Sequence, residues 1–277
     1  PNLSVAMVPG HTGLQSKEVL RKNILEVTMD RVIANLTTAP AEAKMDAEPG
    51  ARDIVVTGTL DEVNEYFIAN ELSDGLPVVP PTVERVQAML TGFGGDATRV
   101  LGHMPPALGV VSTGHVAVNA VMAGCGPQHM PLLVAAVQAM LVPEFNLKAI
   151  QATTHPVAPL MIVSGPMAAA WNIHAGSGLF GPGPWANGAV GRAIRLMLIN
   201  LGGGQPVEID KATTGQPGKF AYCIAENEAA NPWEPLQVER GFRREQSTVT
   251  LVGAEGSMNL NAHTKDGAQL VRTMALS

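Results

Sequence analysis

The 277-residue chain is 46% hydrophobic and carries a formal net charge of -6, so it can bury a large core but lacks the basic surface that nucleic acid requires. Its longest basic cluster, Arg240, Arg243 and Arg244, is flanked by glutamates, and its apolar runs are shorter than the roughly 18 residues of a membrane span. The sequence therefore predicts neither a nucleic-acid partner nor a membrane partner. Two cysteines in unrelated contexts, and an N-terminus without a signal-peptide pattern, favour a cytoplasmic protein without a structural disulfide.

Residues 1–37 are predicted to form an N-terminal arm made of one strand and one helix. Residues 3–8 alternate apolar and polar, as a short strand does, and Ser16 can cap a helix whose apolar stripe continues to about Leu36. Residues 38–52 have no apolar period and are rich in Ala, Pro, Glu and Thr, which is typical of a linker. The linker leads to a main body, residues 53–277, that could contain two subdomains.

Strands and helices alternate along the main body, which predicts an α/β fold with mixed sheets, packed helices and many loops rich in glycine and proline. Thr59 and Glu62 form a capping box, and Thr82 caps the helix that follows an extended, proline-rich segment. Further helices are expected at residues 115–123, 131–141 and 189–201. Strands are expected at residues 54–57, 99–104, 108–112, 147–152, 159–164 and 248–252.

The strongest candidate for chemistry is Cys125, in a break between two predicted helices. Pro127 suits the first position of the second helix, whose free N–H groups would stabilise a thiolate and lower the cysteine pKa. His129, four residues on, could exchange a proton with that thiolate. The alternative is that Cys125 is a packed core residue. Asn119, on the preceding helix, is either a buried structural amide or a substrate ligand.

A second candidate is the glycine-rich loop at residues 175–188, which leads into a predicted helix. Glycines let a ligand approach the backbone, and the start of a helix offers free N–H groups to a carboxylate or phosphate. The glycine spacing matches neither the phosphate-binding loop nor the dinucleotide fingerprint, and an ordinary turn is the alternative. We expect a small anionic substrate to bind here beside Cys125, through Gly176, Ser177, Gly178, Asn187, Gly188 and Arg192.

A third candidate combines an amine, a phenol and carboxylates within ten residues, a density that general acid-base catalysis can use. These residues are Lys219, Tyr222, Glu226 and Glu228, with Glu226 favoured, and Asn231-Pro-Trp-Glu-Pro235 follows them. Charged residues that are merely solvated are the alternative. Seven histidines show no pair at metal-ligand spacing and there is no Cys-x-x-Cys, so no metal ligand is predicted and any cofactor remains unknown.

Five segments together resemble a bacterial family of large, poorly characterised proteins associated with the UGSC-type thiol or selenol proteins. They are Asp74-Gly-Leu-Pro-Val-Val-Pro-Pro-Thr82, Asn119-Ala-Val-Met-Ala-Gly-Cys125, Gln151-Ala-Thr-Thr154, Pro217-Gly-Lys-Phe220 and Ala225-Glu-Asn-Glu228. The resemblance covers about Arg52 to Met274, and the arm looks like the tail of a UGSC-type domain. It implies a partner chain or a missing segment and names no substrate. The chain lacks a Cys-Gly-Ser-Cys motif or a selenocysteine equivalent, so the resemblance by itself does not imply redox chemistry.

The leading hypothesis is an enzyme domain or subunit, an oxidoreductase or a lyase, that performs thiol-dependent redox or bond-cleaving chemistry on a small anionic substrate. Cys125 would be its thiolate, and a partner chain or a homo-oligomer would complete it. The first alternative is a non-catalytic subunit that binds a ligand or another chain. The second is a metal-dependent lyase or hydrolase.

Overall fold

The computed structural model describes residues 5–10, 13–38, 53–260 and 262–276. The chain divides into two units, Pro1–Gly50 and Ala51–Ser277. The predicted linker, residues 38–52, lies outside the described residues except at its first position.

The described part of the first unit is mainly helical. Helix α1 (Lys17–Asn23), a π-helical turn (Ile24–Thr28) and helix α2 (Met29–Thr37) follow one another, and Ser16 caps the first of them, as predicted. Residues 5–8 form no strand, which corrects the prediction for that part of residues 3–8; the remainder lies outside the described residues. The buried Thr28 hydroxyl donates to the Met7 carbonyl at 3.1 Å, so this segment is held by a side chain.

The second unit is α/β, as predicted, with helices packed around two small sheets. Its helices are α3 (Leu60–Ala69), α4 (Val83–Thr91), α5 (Thr113–Met122), α6 (Met130–Met140), α7 (Leu147–Gln151), α8 (Met167–Ala170), α9 (Trp185–Asn200), α10 (Leu236–Glu239) and α11 (Gly267–Leu276). Its strands are β1 (Val100–Met104), β2 (Gly109–Ser112), β3 (Ala158–Ser164), β4 (Cys223–Ala225) and β5 (Thr248–Ala254).

The two sheets have different topologies. Strands β1 and β2 form an antiparallel pair in which Met104 lies opposite Gly109. The other sheet has the order β4-β3-β5, with β3 parallel to β4 and antiparallel to β5. Met161 in the central strand lies opposite Cys223 on one side and Leu251 on the other. The parallel pair therefore brings the carboxyl ends of β3 and β4 to the same edge.

Local signals account for the helix starts. Thr59 and Glu62 form the predicted capping box, with the Thr59 N–H donating to the Glu62 carboxylate at 2.7 Å, and Thr82 caps α4. Two predicted strands are wrong. Residues 54–57 are not in a strand, and residues 147–152 contain α7, because Leu147 and Gln151 are buried one helical turn apart.

The main core lies where α5, α6 and α9 meet, and it includes Val116, Leu133, Val137, Leu196 and Met197. No single helix in the described part of the chain is long and apolar enough to cross a membrane. One pair of helical segments, Pro127–Met140 and Pro143–Gln151, passes that test together by length and composition, with a bend of 76° between them.

Helix α9 and the chain entering β4 approach each other at Gly191. A Cβ atom on this glycine would lie 2.5 Å from the Tyr222 nitrogen and 3.0 Å from the Ala221 carbonyl carbon. Backbone atoms cannot move aside cheaply, so only glycine allows this contact. Gly188, on the same helix, is exposed and has no atom within 4 Å of the equivalent position.

These two glycines form a matched pair for a stability experiment. We expect Gly191→Ala to lower the free energy of unfolding by about 1–3 kcal/mol through overpacking. Gly188→Ala should raise it by about 0.5–1 kcal/mol, because alanine favours a helix over glycine. Urea denaturation of both variants checks this, and equal effects would show that α9 does not rest against β4 as described.

Candidate functional site

Cys125 lies just after the carboxyl end of α5. Its N–H donates to the Ala120 carbonyl at 2.9 Å, and the N–H of Gly124, whose φ is 85°, donates to the Val121 carbonyl at 2.9 Å. This is a Schellman cap, and the carboxyl end of a helix disfavours an anion. Burial raises the pKa of the Cys125 thiol to about 12. The expectation of a lowered pKa was wrong. Pro127 does begin the helical segment Pro127–Met140, but the Cys125 N–H caps the carboxyl end of α5 and desolvation raises the pKa of the thiol.

His129 does not have a free nitrogen for proton exchange with Cys125, contrary to expectation. Its ring is fully buried, Nδ1 accepts the Gly126 N–H at 3.2 Å, and Nε2 donates to the Trp171 carbonyl at 3.0 Å. Burial lowers the pKa of the imidazole, which favours the neutral form that these bonds require. The ring also lies 5.4 Å from the Trp185 ring, so it joins the 3₁₀ turn to the start of α9.

Asn119 is held entirely by protein groups. Its Nδ2 donates to the His115 carbonyl at 2.9 Å, and its Oδ1 accepts a hydrogen bond from Asn200 at 2.8 Å. Asn200 also donates to the Leu72 carbonyl at 3.1 Å. The structural alternative for Asn119 therefore agrees with the described contacts, and the amide connects α5 to α9.

The loop at residues 175–188 is tied down by Asn187. This amide accepts the His174 N–H at 2.7 Å and donates to the carbonyls of His174 and Leu179 at 2.9 and 3.2 Å. The predicted loop is also too long, because α9 begins at Trp185 and so includes both Asn187 and Gly188 in its first turn. The oxygen and the nitrogen of the Asn187 side chain are thus both hydrogen-bonded to the backbone of this loop and of His174 before it.

The first half of this loop is a turn at the surface. The His174 ring donates to the Ser177 carbonyl at 2.9 Å and lies against Gly176, and the Gly181 N–H donates to the Gly178 carbonyl at 2.7 Å. Gly178 has a φ of 76°, which glycine adopts without strain. These contacts agree with the alternative of an ordinary glycine turn.

Arg192 binds a carboxylate of the protein, whereas the sequence predicted that it would bind an anionic substrate. Its Nε and Nη2 donate to the two oxygens of Asp74 at 2.8 and 2.7 Å, and Nη2 also donates to the carbonyls of Leu76 and Pro77. The Asp74 side chain is only 3% exposed. The guanidinium therefore holds the extended proline-rich segment against α9.

Lys219 also has an internal partner. Its Nζ donates to Asp210 at 2.6 Å, and its carbonyl accepts from the Arg195 guanidinium at 2.6 Å. Burial lowers the pKa of the Lys219 amine, and the contact with Asp210 opposes that shift. Burial raises the pKa of Tyr222, whose ring packs 5.1 Å from Phe180. Neither side chain lies beside Glu226 in the groove described next.

Glu226 follows β4 and accepts hydrogen bonds on both carboxylate oxygens. Oε2 accepts from the buried Ser164 hydroxyl at 2.7 Å, and Oε1 accepts from Asn231 Nδ2 at 3.0 Å. The Leu236 N–H donates to both oxygens at 3.0 Å. Glu228 accepts the Gly165 N–H, so the two carboxylates of this segment both bind the end of β3.

An open groove of about 480 Å³ lies beside Glu226, at the carboxyl ends of β3 and β4. Its floor is mostly apolar and comes from the sheet, the start of the glycine loop and α10. Its rim carries carboxylates, amides and an indole. The residues that line it include Ile162, Leu179, Ile224, Asn227, Asn231, Trp233, Glu234, Leu236 and Glu239.

Trp233 and Glu239 line the groove but were not among the site residues predicted from the sequence. Trp233 is 82% exposed. The Asn231 side chain positions the loop that carries it by accepting the backbone N–H of Trp233 at 2.9 Å. The available signal was a tryptophan between two prolines in a chain with three tryptophans. Glu239 gave no signal, because its place on the groove depends on the short helix α10.

No protein-family model matches the chain, and comparison with curated proteins and with solved structures gives no match either. Within residues 5–10, 13–38, 53–260 and 262–276, no group of three or more His, Cys, Asp or Glu side chains is placed to hold a metal ion.

The raised pKa of Cys125 predicts how this thiol responds to alkylation. With a pKa of about 12, the thiolate fraction rises about tenfold with each pH unit from pH 7 to pH 10. A model thiol levels off above about pH 8.5. Iodoacetamide labelling followed by peptide mass spectrometry checks this. A plateau near pH 8.5 for the Cys125 peptide would contradict the raised pKa, and only a plateau well below pH 8.5 would restore the thiolate hypothesis.

The Arg192 pair predicts a large stability loss on substitution. Arg192→Met keeps the apolar stem but leaves Asp74 buried without its cation, which should cost about 3 kcal/mol or more. The control is Arg244→Met, which breaks an exposed pair with Glu234 and should cost about 1 kcal/mol or less. Urea denaturation measures both, and similar losses would contradict a structural role for Arg192.

Proposed function

We propose that this chain is a ligand-binding domain or subunit without a catalytic role of its own, and that it takes a small molecule in the groove beside Glu226. The observation that carries the proposal is the open groove at the carboxyl ends of the parallel strands β3 and β4. Ligands of open α/β sheets bind outside the carboxyl ends of the strands. The volume of about 480 Å³ also falls in the range of about 300–1,000 Å³ for small-molecule sites.

The state of the reactive candidates supports a binding role over a catalytic one. Cys125 is a thiol of raised pKa, and both ring nitrogens of His129 are hydrogen-bonded. Lys219 is paired with Asp210, and Glu226 accepts from donors on both oxygens. A general acid, base or nucleophile needs a lone pair or proton that the substrate can reach, and the internal partners of His129, Lys219 and Glu226 reduce that access.

We also propose that the resemblance to the UGSC-associated family holds for this chain. Three of its five segments contact α9: the Asp74 side chain binds Arg192, the Asn119 side chain binds Asn200, and the backbone carbonyl of Lys219 binds Arg195. Glu226 of a fourth segment borders the groove. We propose, from the resemblance alone, that a partner chain or a homo-oligomer completes this protein. Both cysteines are free, in keeping with the cytoplasmic location that we propose.

Occupation of the groove can be tested through Trp233. The chain has three tryptophans, so its ¹⁵N-¹H spectrum should contain three indole resonances, and a Trp233→Phe variant identifies one of them. We expect hexan-1-ol to shift the Trp233 indole resonance and to leave the Trp171 resonance in place, because only Trp233 borders the groove.

A matched pair of variants controls this titration. Ala175→Phe places a ring in the groove and should abolish the shift. Ala149→Phe adds the same ring at an exposed position on α7, so it should leave the shift unchanged. If Ala175→Phe still responds, or if neither hexan-1-ol nor a charged ligand with the same six-carbon chain shifts the Trp233 resonance, the groove is not the ligand site.

A further inference from the structure

We infer that the ligand of this groove carries an organic cation, such as an alkylammonium group, joined to a short apolar body. The inference rests on the proposed function, because it names the class of ligand for the same groove. It follows from the charge on the rim, from the exposed indole and from the apolar floor.

The charged residues that line the groove are all acidic. They are Glu226, Glu234 and Glu239, and no lysine, arginine or histidine of the described chain lines it. Arg240 and Arg243 belong to the same stretch of chain but are not among the lining residues. A rim of one sign in a concave site attracts ligands of the opposite sign and repels anions.

Two of these three carboxylates have no basic side chain of the described residues as a partner. Glu226 binds only neutral donors, namely a serine hydroxyl, an asparagine amide and a backbone N–H, and no described basic side chain pairs with it. Glu239 is exposed and forms no side-chain hydrogen bond or ion pair with the described residues. Glu234 is neutralised by Arg244 at 2.7 Å. The groove therefore presents about two negative charges that a ligand can neutralise.

Trp233 adds a second kind of cation contact. Its indole is 82% exposed on the rim, and the face of an exposed indole attracts a cation by about 0.5–1 kcal/mol. Asn231 holds this loop in place by binding both the Trp233 N–H and the Glu226 carboxylate. Asn231 thus connects the backbone of Trp233 to the Glu226 carboxylate, which keeps both residues at the same groove.

The floor of the groove selects the rest of the ligand. Ile162, Ile224 and Leu179 present aliphatic surface below the acidic rim. A ligand that combines a short alkyl chain with an ammonium group matches both kinds of surface that line this groove. The anionic substrate expected from the sequence does not suit this groove, because its charge would face Glu226 and Glu239.

Three ligands that share one six-carbon chain separate charge from apolar contact: hexylammonium, hexan-1-ol and hexanoate. We expect the Trp233 indole resonance to report affinities in that order, with hexylammonium about fivefold tighter than the alcohol. Raising the ionic strength from about 0.02 M to about 0.5 M should weaken hexylammonium binding and leave the alcohol unchanged, because salt screens only the charged ligand.

Two exposed variants test the named groups, with isothermal titration calorimetry as the readout. Glu239→Gln and Trp233→Leu should each weaken the affinity for hexylammonium about two- to fivefold. Glu239→Gln should leave the affinity for hexan-1-ol nearly unchanged. The control is Glu208→Gln, which makes the same charge change at an exposed position away from the groove and should leave both affinities unchanged.

The outcomes separate the two proposals. Equal binding of hexylammonium and hexan-1-ol, or tighter binding of hexanoate than of hexylammonium, would overturn the inferred cation and leave the groove as a ligand site. No binding of any of these three compounds would overturn both the proposed function and the inferred cation.

Discussion

The bidentate ion pair between Arg192 and Asp74 fixes an extended, proline-rich segment against α9, and the same helix holds the other irregular parts of the main unit. A carboxylate buried to this degree is costly without its cation, so the segment has one stable position. Other polar residues of α9 do the same for other segments: Asn187 holds the backbone around His174, Arg195 holds the Lys219 carbonyl, and Asn200 holds Asn119.

Contacts with α9 position two of the segments that form the groove. One wall comes from the loop that Asn187 ties to the start of α9, and another follows β4, whose approach to α9 depends on the missing side chain of Gly191. Glu226 then connects the end of β4 to the end of β3 through the Ser164 hydroxyl. Because each wall is held by specific bonds, a ligand would meet a site that needs little ordering on binding.

The sequence predicted the features that depend on near neighbours. The caps at Thr59 and Thr82 and the α/β class follow from local spacing, and they are confirmed. The roles of the polar candidates depend on distant partners: Arg192 and Asp74 are 118 residues apart, and no local pattern shows that they meet. Cys125 was misjudged for a different reason. The sequence prediction placed Cys125 at the start of the helix that follows it, whereas a glycine with positive φ such as Gly124 typically ends the helix before it.

The distribution of partners explains why an acidic protein would favour a cation at this groove. The cationic side chains that the sequence singled out for anion binding or catalysis, Arg192 and Lys219, each neutralise a carboxylate inside the fold. Glu226 does the opposite: its partners are neutral hydrogen-bond donors, which satisfy its oxygens and leave its charge in place. Arg192 and Lys219 are thus engaged with carboxylates inside the fold, and the carboxylates that line the groove set the sign of the ligand that we propose for it.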